Sequence, residues 1–276
     1  MYFSKLPGIK YGYSPQSVKS SVNILQSAKF SNFFKQNAEQ LFVEYIVKDG
    51  EKPEDLAYKV YGAADLHWII LLFNDIKNPY FDWPLNSSIL EEQIIKTYPG
   101  SAIFVPVSPN FYKTDGTKML AENSQFVVGN TVSHENNYWT ATITGWNSTL
   151  RKLEIDNIVG TFDSNISNTY TGNITSKNKN NETFKVAMKR VVFDNTFSLH
   201  HFENDDGTWI DPYENVTETG ESTYILKRYI ENSSDLNVIV NRRYEEVVND
   251  NKRKILLLKV DYLSYVVDTY TKLFNG

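Results

Sequence analysis

KPEDLAYKVYGAADLHWIILLFNDIKNPYFDWP, Lys52 to Pro84, is the stretch on which the reading of this chain turns. Pro53 stands where the first turn of a helix tolerates a missing N–H, and Glu54 and Asp55 follow at the positive end of the helix dipole. Leu56 and Val60 are spaced i, i+4, and Gly62 can close the helix as a left-handed cap. A second helix begins at once. Leu66, Ile69, Ile70 and Phe73 fall at i, i+3, i+4 and i+7 and form one apolar stripe. His67, Trp68 and Leu71 lie off that stripe. The helix is therefore apolar on more than one side and needs a second covering layer from elsewhere. Asn74 and Asp75 end it, and an aromatic loop runs to Asn86.

Upstream, LFVEYIVKDG (Leu41–Gly50) is rich in β-branched and aromatic residues and stops at Asp-Gly, which predicts a strand followed by a turn. Downstream, Ser88-Ile89-Leu90-Glu91 reads as a capping box that starts a third helix. SAIFVPV (Ser101–Val107) reads as a closing strand. Residues 41–107 then form a β-α-α-loop-α-β unit. Residues 1–40 read as an N-terminal arm, punctuated by Pro and Gly, with a short helix expected within Asn23–Gln36. An aromatic-rich arm with little core of its own must pack on something.

Residues 111–190 change character. FVVGNTV, YWTATITGW, LRKLEIDNI and TFKVAMKRVVF are short β runs separated by Gly, Asn, Ser and Asp. Trp139, Ala141 and Ile143 alternate with threonines, the period of a half-buried strand. Strands so spaced predict a small, barrel-like all-β insertion. Residues 191–276 predict a hairpin turning at Asp206-Gly207, a strand within KRKILLLKV, and a final amphipathic helix carrying Leu263, Val266, Val267, Tyr270 and Phe274 behind Asp261. The expected fold class is α+β.

Composition narrows the function classes. A net charge of -5 with no long Lys/Arg run argues against nucleic acid. The absence of cysteine removes disulfides, thiol nucleophiles and cysteine-ligated zinc together. Outside the second helix the longest apolar run is ILLL (Ile255–Leu258), far short of the roughly 20 residues of a membrane span. The N-terminus has no apolar segment of the signal-peptide kind. Aromatics make up 14% of the chain, which tilts the reading toward an assembly protein because interfaces favour them.

No catalytic constellation stands out, and no catalytic residue, metal ligand or cofactor is assigned. His200-His201 with Glu203, Asp205 and Asp206 is the one cluster with metal-binding residue types. Adjacent histidines on a strand are expected on opposite faces, and the spacing fails the EF-hand pattern, so an acidic hairpin turn is the simpler reading. A lone His67 on a largely apolar helix is packing more often than a general base. Scattered carboxylates are all that speaks for a hydrolase. The candidate contact residues are Tyr61, His67, Trp68, Tyr80, Phe81 and Trp83, each with internal packing as its alternative.

Two family resemblances attach to these residues. YIVKDGEKPEDLAYKVYGAADLHWIILLFND, closed by YPGSAIFVPV, resembles LysM modules, with Tyr45, Val47, Gly50, Leu56, Ala57, Gly62, Asn74 and Gly100 in corresponding places. Two departures fall around the groove where such modules bind N-acetylglucosamine chains: Glu51-Lys52-Pro53 after the glycine, and the inserted aromatic loop and helix. They argue against a glycan partner, although a peptidoglycan-binding module stays as the alternative function. KPEDLAYKVYG, HWIILLFND, NPYFDWP and the closing YEEVVNDNKRKILLLKVDYLSYV are similar to the baseplate wedge protein 53 family of T4-like contractile-tailed phages. The β-rich middle departs from that family's form and resembles insertions in phage structural proteins. The resemblance implies a non-enzymatic virion protein of the tail baseplate, assembled in the host cytoplasm. It also implies contacts with other wedge proteins and with the lysozyme-like sheath-initiating subunit, with no nucleic acid and no membrane.

Overall fold

The computed structural model describes residues 8–11, 19–22, 38–106, 112–113, 116–117, 126–210, 213–218, 221–226 and 237–275. The fold is mixed helix and sheet. The chain divides into two compact units, residues 1–90 with 247–276, and residues 91–246.

The first unit is built on two strands far apart in sequence. Phe42–Ile46 pairs antiparallel with Lys254–Leu258, with Glu44 opposite Leu256. The ladder continues past both ends, where Val47 N–H donates to Arg253 O at 2.8 Å and Lys259 N–H to Leu41 O at 2.9 Å. Helices Pro53–Tyr61 and His67–Phe73 follow the first strand. Pro53 opens the first helix, and Gly62, at φ 77°, ends it by donating its N–H to Tyr58 O. That left-handed residue, with the 3-10 turn Ala64–Leu66 after it, bends the path by 113° between the helices. No single helix among the described residues is long and apolar enough to cross a membrane.

Helix His67–Phe73 is covered on more than one side, as its sequence requires. Trp68 and Ile69 pack with Leu41, Phe42, Leu258, Val266 and Tyr270. Ile70 packs with Val47, Leu56, Ala57, Trp83, Ile255 and Leu257. The missing layer is thus supplied by the strand Lys254–Leu258 and the C-terminal helix Leu263–Asn275.

Three local expectations change. Ser101–Val107 does not close this unit. Its strand, Ser101–Phe104, pairs with Lys152–Ile155 and with Arg190–Val192 in the second unit. Gly100 shows why: at φ 71°, a Cβ there would lie 2.0 Å from Ile155 O, so the Pro-Gly turn fits a close backbone approach to that neighbour. Lys254–Leu258 closes the small sheet in its place, and Asn74 secures it. The Asn74 side chain donates to Leu256 O at 2.9 Å and accepts from Leu256 N–H at 2.8 Å, satisfying the outer edge of that strand. The third helix, Ser87–Thr97, is capped by Asn86 and not by a box at Ser88, because Asn86 Oδ1 accepts from Ile89 N–H at 2.8 Å.

The second unit holds eight strands in the order Arg190–Val192, Ser101–Phe104, Lys152–Gly160, Trp139–Asn147, Thr131–His134, Asn173–Lys177, Thr183–Ala187 and Tyr112–Lys113, with every neighbouring pair antiparallel. Among the described residues no pairing joins the two ends, so the order is open where a closed barrel was expected. Trp139, Ala141 and Ile143 point inward with Leu153, Ile155, Ile174 and Phe184, as their alternation predicts. Asn173–Lys177 was not foreseen as a strand, because Ile174 is its one apolar residue. The hairpin turns at Asp206-Gly207 as expected, and Leu199–Glu203 pairs with Trp209–Ile210 and also with Asn237–Val240. In the arm, Gly8–Tyr11 pairs with Lys19–Val22. The helix expected within Asn23–Gln36 lies outside the described residues.

Asn74 generates a test. Asn74→Ala leaves a strand N–H and C=O of Leu256 without partners, so it is expected to lower the unfolding free energy by about 1–3 kcal/mol. Urea titration followed by circular dichroism measures it, and an unchanged midpoint would show that the amide clasp contributes nothing.

Candidate protein-contact surface

The six residues singled out in the sequence part into two kinds. Trp68 is 3% exposed, with its ring centroid 4.3 Å from that of Tyr270. Trp83 is 6% exposed, and its indole N–H donates to Glu51 O at 2.8 Å. Tyr61 is half-buried between the two clusters of the first unit, and burial pushes its hydroxyl pKa up to about 12. His67 Nδ1 lies 2.9 Å from Ala64 O, a contact within its own turn. Tyr80 and Phe81 stand apart, at 86% and 73% exposure.

Tyr80 and Phe81 are held outward by a loop with many anchors. Pro79–Asp82 forms one helical turn, opened by Asn78, whose side chain accepts from Tyr80 N–H at 3.1 Å. The Asp82 carboxylate accepts from Asn78 N–H at 2.9 Å and Lys77 N–H at 3.2 Å, folding the loop back on itself. From the C-terminal segment, Lys252 Nζ donates to Phe81 O at 2.8 Å. Asn249, 2% exposed, accepts from Leu85 N–H at 2.7 Å and donates to Leu85 O at 3.1 Å. Arg253 donates to Asp49 and to the carbonyls of Val47 and Leu85. Asn249, Lys252 and Arg253 were not singled out in the sequence. Their spacing suits an exposed helix end, and nothing local announces a partner 164 or more residues away.

Such a loop can bind without first being ordered. Two aromatics offered from a braced turn add contact area at little conformational cost, the usual make-up of an interface anchor. The turn after Gly50 offers no comparable platform for a sugar ring, since Trp83 is buried against Glu51.

The histidine pair is also rearranged. A register shift between Leu199 and His201 removes the alternation that would have sent the rings to opposite faces. The two Nδ1 atoms lie 2.7 Å apart, His201 Nε2 meets Glu203 at 2.6 Å, and His200 stacks on Tyr244 at 3.9 Å. Burial first, then the neighbouring His201 and Lys152, lowers the His200 pKa to about 4. Among the described residues no group of three His, Cys, Asp or Glu is disposed to hold a metal ion.

A braced aromatic loop on a small packed unit is the build of a protein-docking element. Comparison with known proteins supplies the family. The family model described as Base plate wedge protein 53 matches residues 10–102. Over 54 residues the chain is 33% identical to the Baseplate wedge protein gp53 of Enterobacteria phage T4, a stretch that makes up 20% of this chain and 28% of that relative. The aligned part thus spans less than a third of the relative's length. Through residues 10–102 the chain belongs to the base plate wedge protein 53 family. The match takes in the aromatic loop and both helices before it.

Two measurements follow from these placements. Trp83→Ala is expected to cost about 3–5 kcal/mol of stability, whereas Tyr80→Ser and Phe81→Ser are expected to stay within about 0.5 kcal/mol of the parent; chemical denaturation separates the two classes. Because the His200 pKa falls on folding, the unfolded chain takes up its proton first as the medium is acidified. Stability contributed by neutral His200 is present above about pH 6.5 and lost as pH falls toward about 4. Melting curves across that window are expected to be flatter for His200→Gln than for the parent.

Proposed function

We propose that this protein is a structural, non-enzymatic component of a contractile phage tail baseplate wedge, and that it joins neighbouring wedges through protein–protein contacts. The observation that carries the reading is the family match over residues 10–102, which contain a rigid loop presenting Tyr80 and Phe81 to solvent. The partners are other baseplate wedge proteins and the lysozyme-like sheath-initiating subunit. The protein resides in the virion, at the tail baseplate, after assembly in the host cytoplasm. The strand–helix–helix–strand order of the first unit, with Gly50 at φ 72° and Gly62 at φ 77°, supports a LysM-like core turned to protein contact. The second unit is an insertion within that core that extends the protein's surface.

The test is co-expression with the other wedge proteins of the same phage, followed by size-exclusion chromatography. A common peak is expected for the parent. The double variant Tyr80→Ser/Phe81→Ser is expected to remain folded and to weaken the complex at least tenfold, the loss typical of interface anchors. Separate elution of the parent from every wedge protein would sink the proposal.

A further inference from the structure

The small sheet of the first unit has one edge that nothing covers. Leu256 turns its N–H and C=O outward, to Asn74. Its opposite number, Glu44, therefore belongs to a pair that exchanges no backbone hydrogen bonds, and Glu44 and Ile46 direct their own N–H and C=O groups away from Lys254–Leu258. The flanking contacts agree, since Val47 N–H and Leu41 O, in the alternate positions, bond inward. Among the described residues the outward groups of Glu44 and Ile46 meet no partner, while the next outward N–H, of Lys48, is taken by the Glu51 carboxylate at 3.2 Å. Apolar side chains line this edge in the open: Val43 is 53% exposed and Ile46 72%. The usual protections of a free edge are a proline, a bulge or a cover. None interrupts Phe42–Ile46, where Glu44 is the single charge.

We propose that the edge of Phe42–Ile46 is a strand-acceptor site, to which an extended segment of a wedge partner adds as a third strand. The inference rests on the proposed function and names the form of one of its contacts. Charge decides the occupant. A second copy paired antiparallel through the same edge sets each Glu44 against the other Glu44 or against the apolar Ile46. Neither register matches both residues, and like charges directly opposite are unfavourable. A partner strand with Lys or Arg opposite Glu44 and an apolar residue two positions away, opposite Ile46, satisfies both. Main-chain hydrogen bonds then supply affinity and the alternate side chains supply choice of partner.

Hydrogen exchange on the full chain tests this, alone and in complex with the co-expressed wedge proteins of its phage. In the free chain the Glu44 and Ile46 amides are expected to exchange fast, and in the complex at least about tenfold more slowly. Ile46→Lys, on an exposed side chain, and Glu44→Pro, which removes an N–H unused inside the fold, are both expected to weaken the complex about tenfold with the melting temperature kept. If proline at this position unfolds the unit, Ile46→Lys alone carries the test. A complex that forms with both amides still fast, or that holds folded Ile46→Lys as tightly as the parent, overturns the strand-acceptor site and leaves the proposed function standing. Amides slowed in the chain alone, at concentrations where it sediments as a dimer, overturn the choice of partner in favour of a second copy. No complex at all removes the proposed function, and this inference with it.

Discussion

The pairing of Phe42–Ile46 with Lys254–Leu258 is the contact on which the first unit depends. Both of its hydrophobic clusters draw on the two strands, Phe42 and Leu258 in one, Val47, Ile255 and Leu257 in the other. Without the second strand, helix His67–Phe73 would expose Trp68 on one side and Ile70 on the other. A two-stranded sheet is marginal in isolation. Here it is sandwiched by apolar side chains and held at one edge by the Asn74 amide, which takes the place of a third strand. Closing a loop of this length costs entropy that grows only slowly with the number of residues spanned. A large insertion between the two strands is therefore tolerable so long as the closing contacts survive.

The same closure braces the aromatic loop. Asn249 grips the backbone of Leu85, Lys252 the carbonyl of Phe81, and Arg253 the carbonyls of Val47 and Leu85. These donors lie in the few residues before the closing strand, so one short segment both completes the core and fixes the loop. Trp83 joins the two tasks from the other side, with its ring in the core and its N–H on Glu51. Burying Trp83 three positions after Tyr80 is what turns Tyr80 and Phe81 outward.

Much of this unit was legible in the sequence because its signals are local. Pro53, Gly62 and the stripe from Leu66 to Phe73 specify two helices and the bend between them without reference to the rest of the chain. The excess apolar surface of the second helix also announced that a further layer was needed. Which residues supplied it was not legible, since Ser101–Phe104 and Lys254–Leu258 are equally good strands by composition. The choice lies in long-range geometry: Gly100 fits the approach to Ile155, and the Asn74 amide fits the backbone of Leu256. The contact residues show the same division. Tryptophans and tyrosines look alike in sequence, and burial alone separates Trp68 and Trp83 from Tyr80 and Phe81. The histidine pair misled because period-two alternation holds only while the register is unbroken, and here it shifts between Leu199 and His201.

The order of elements along the chain carries one more consequence. Residues 10–102, which carry the family's sequence, include the first strand, both helices and the aromatic loop, but not the strand that completes their sheet. A fragment ending at residue 102 would hold the exposed aromatics and lack Asn249, Lys252 and Arg253, together with half of each buried cluster. The recognisable part of the sequence is therefore not a unit that can hold its own shape. What holds it is contributed by residues 247–276, after the second unit has been traversed. The identity of the chain is concentrated in its first third, and the stability of that third is supplied by its end.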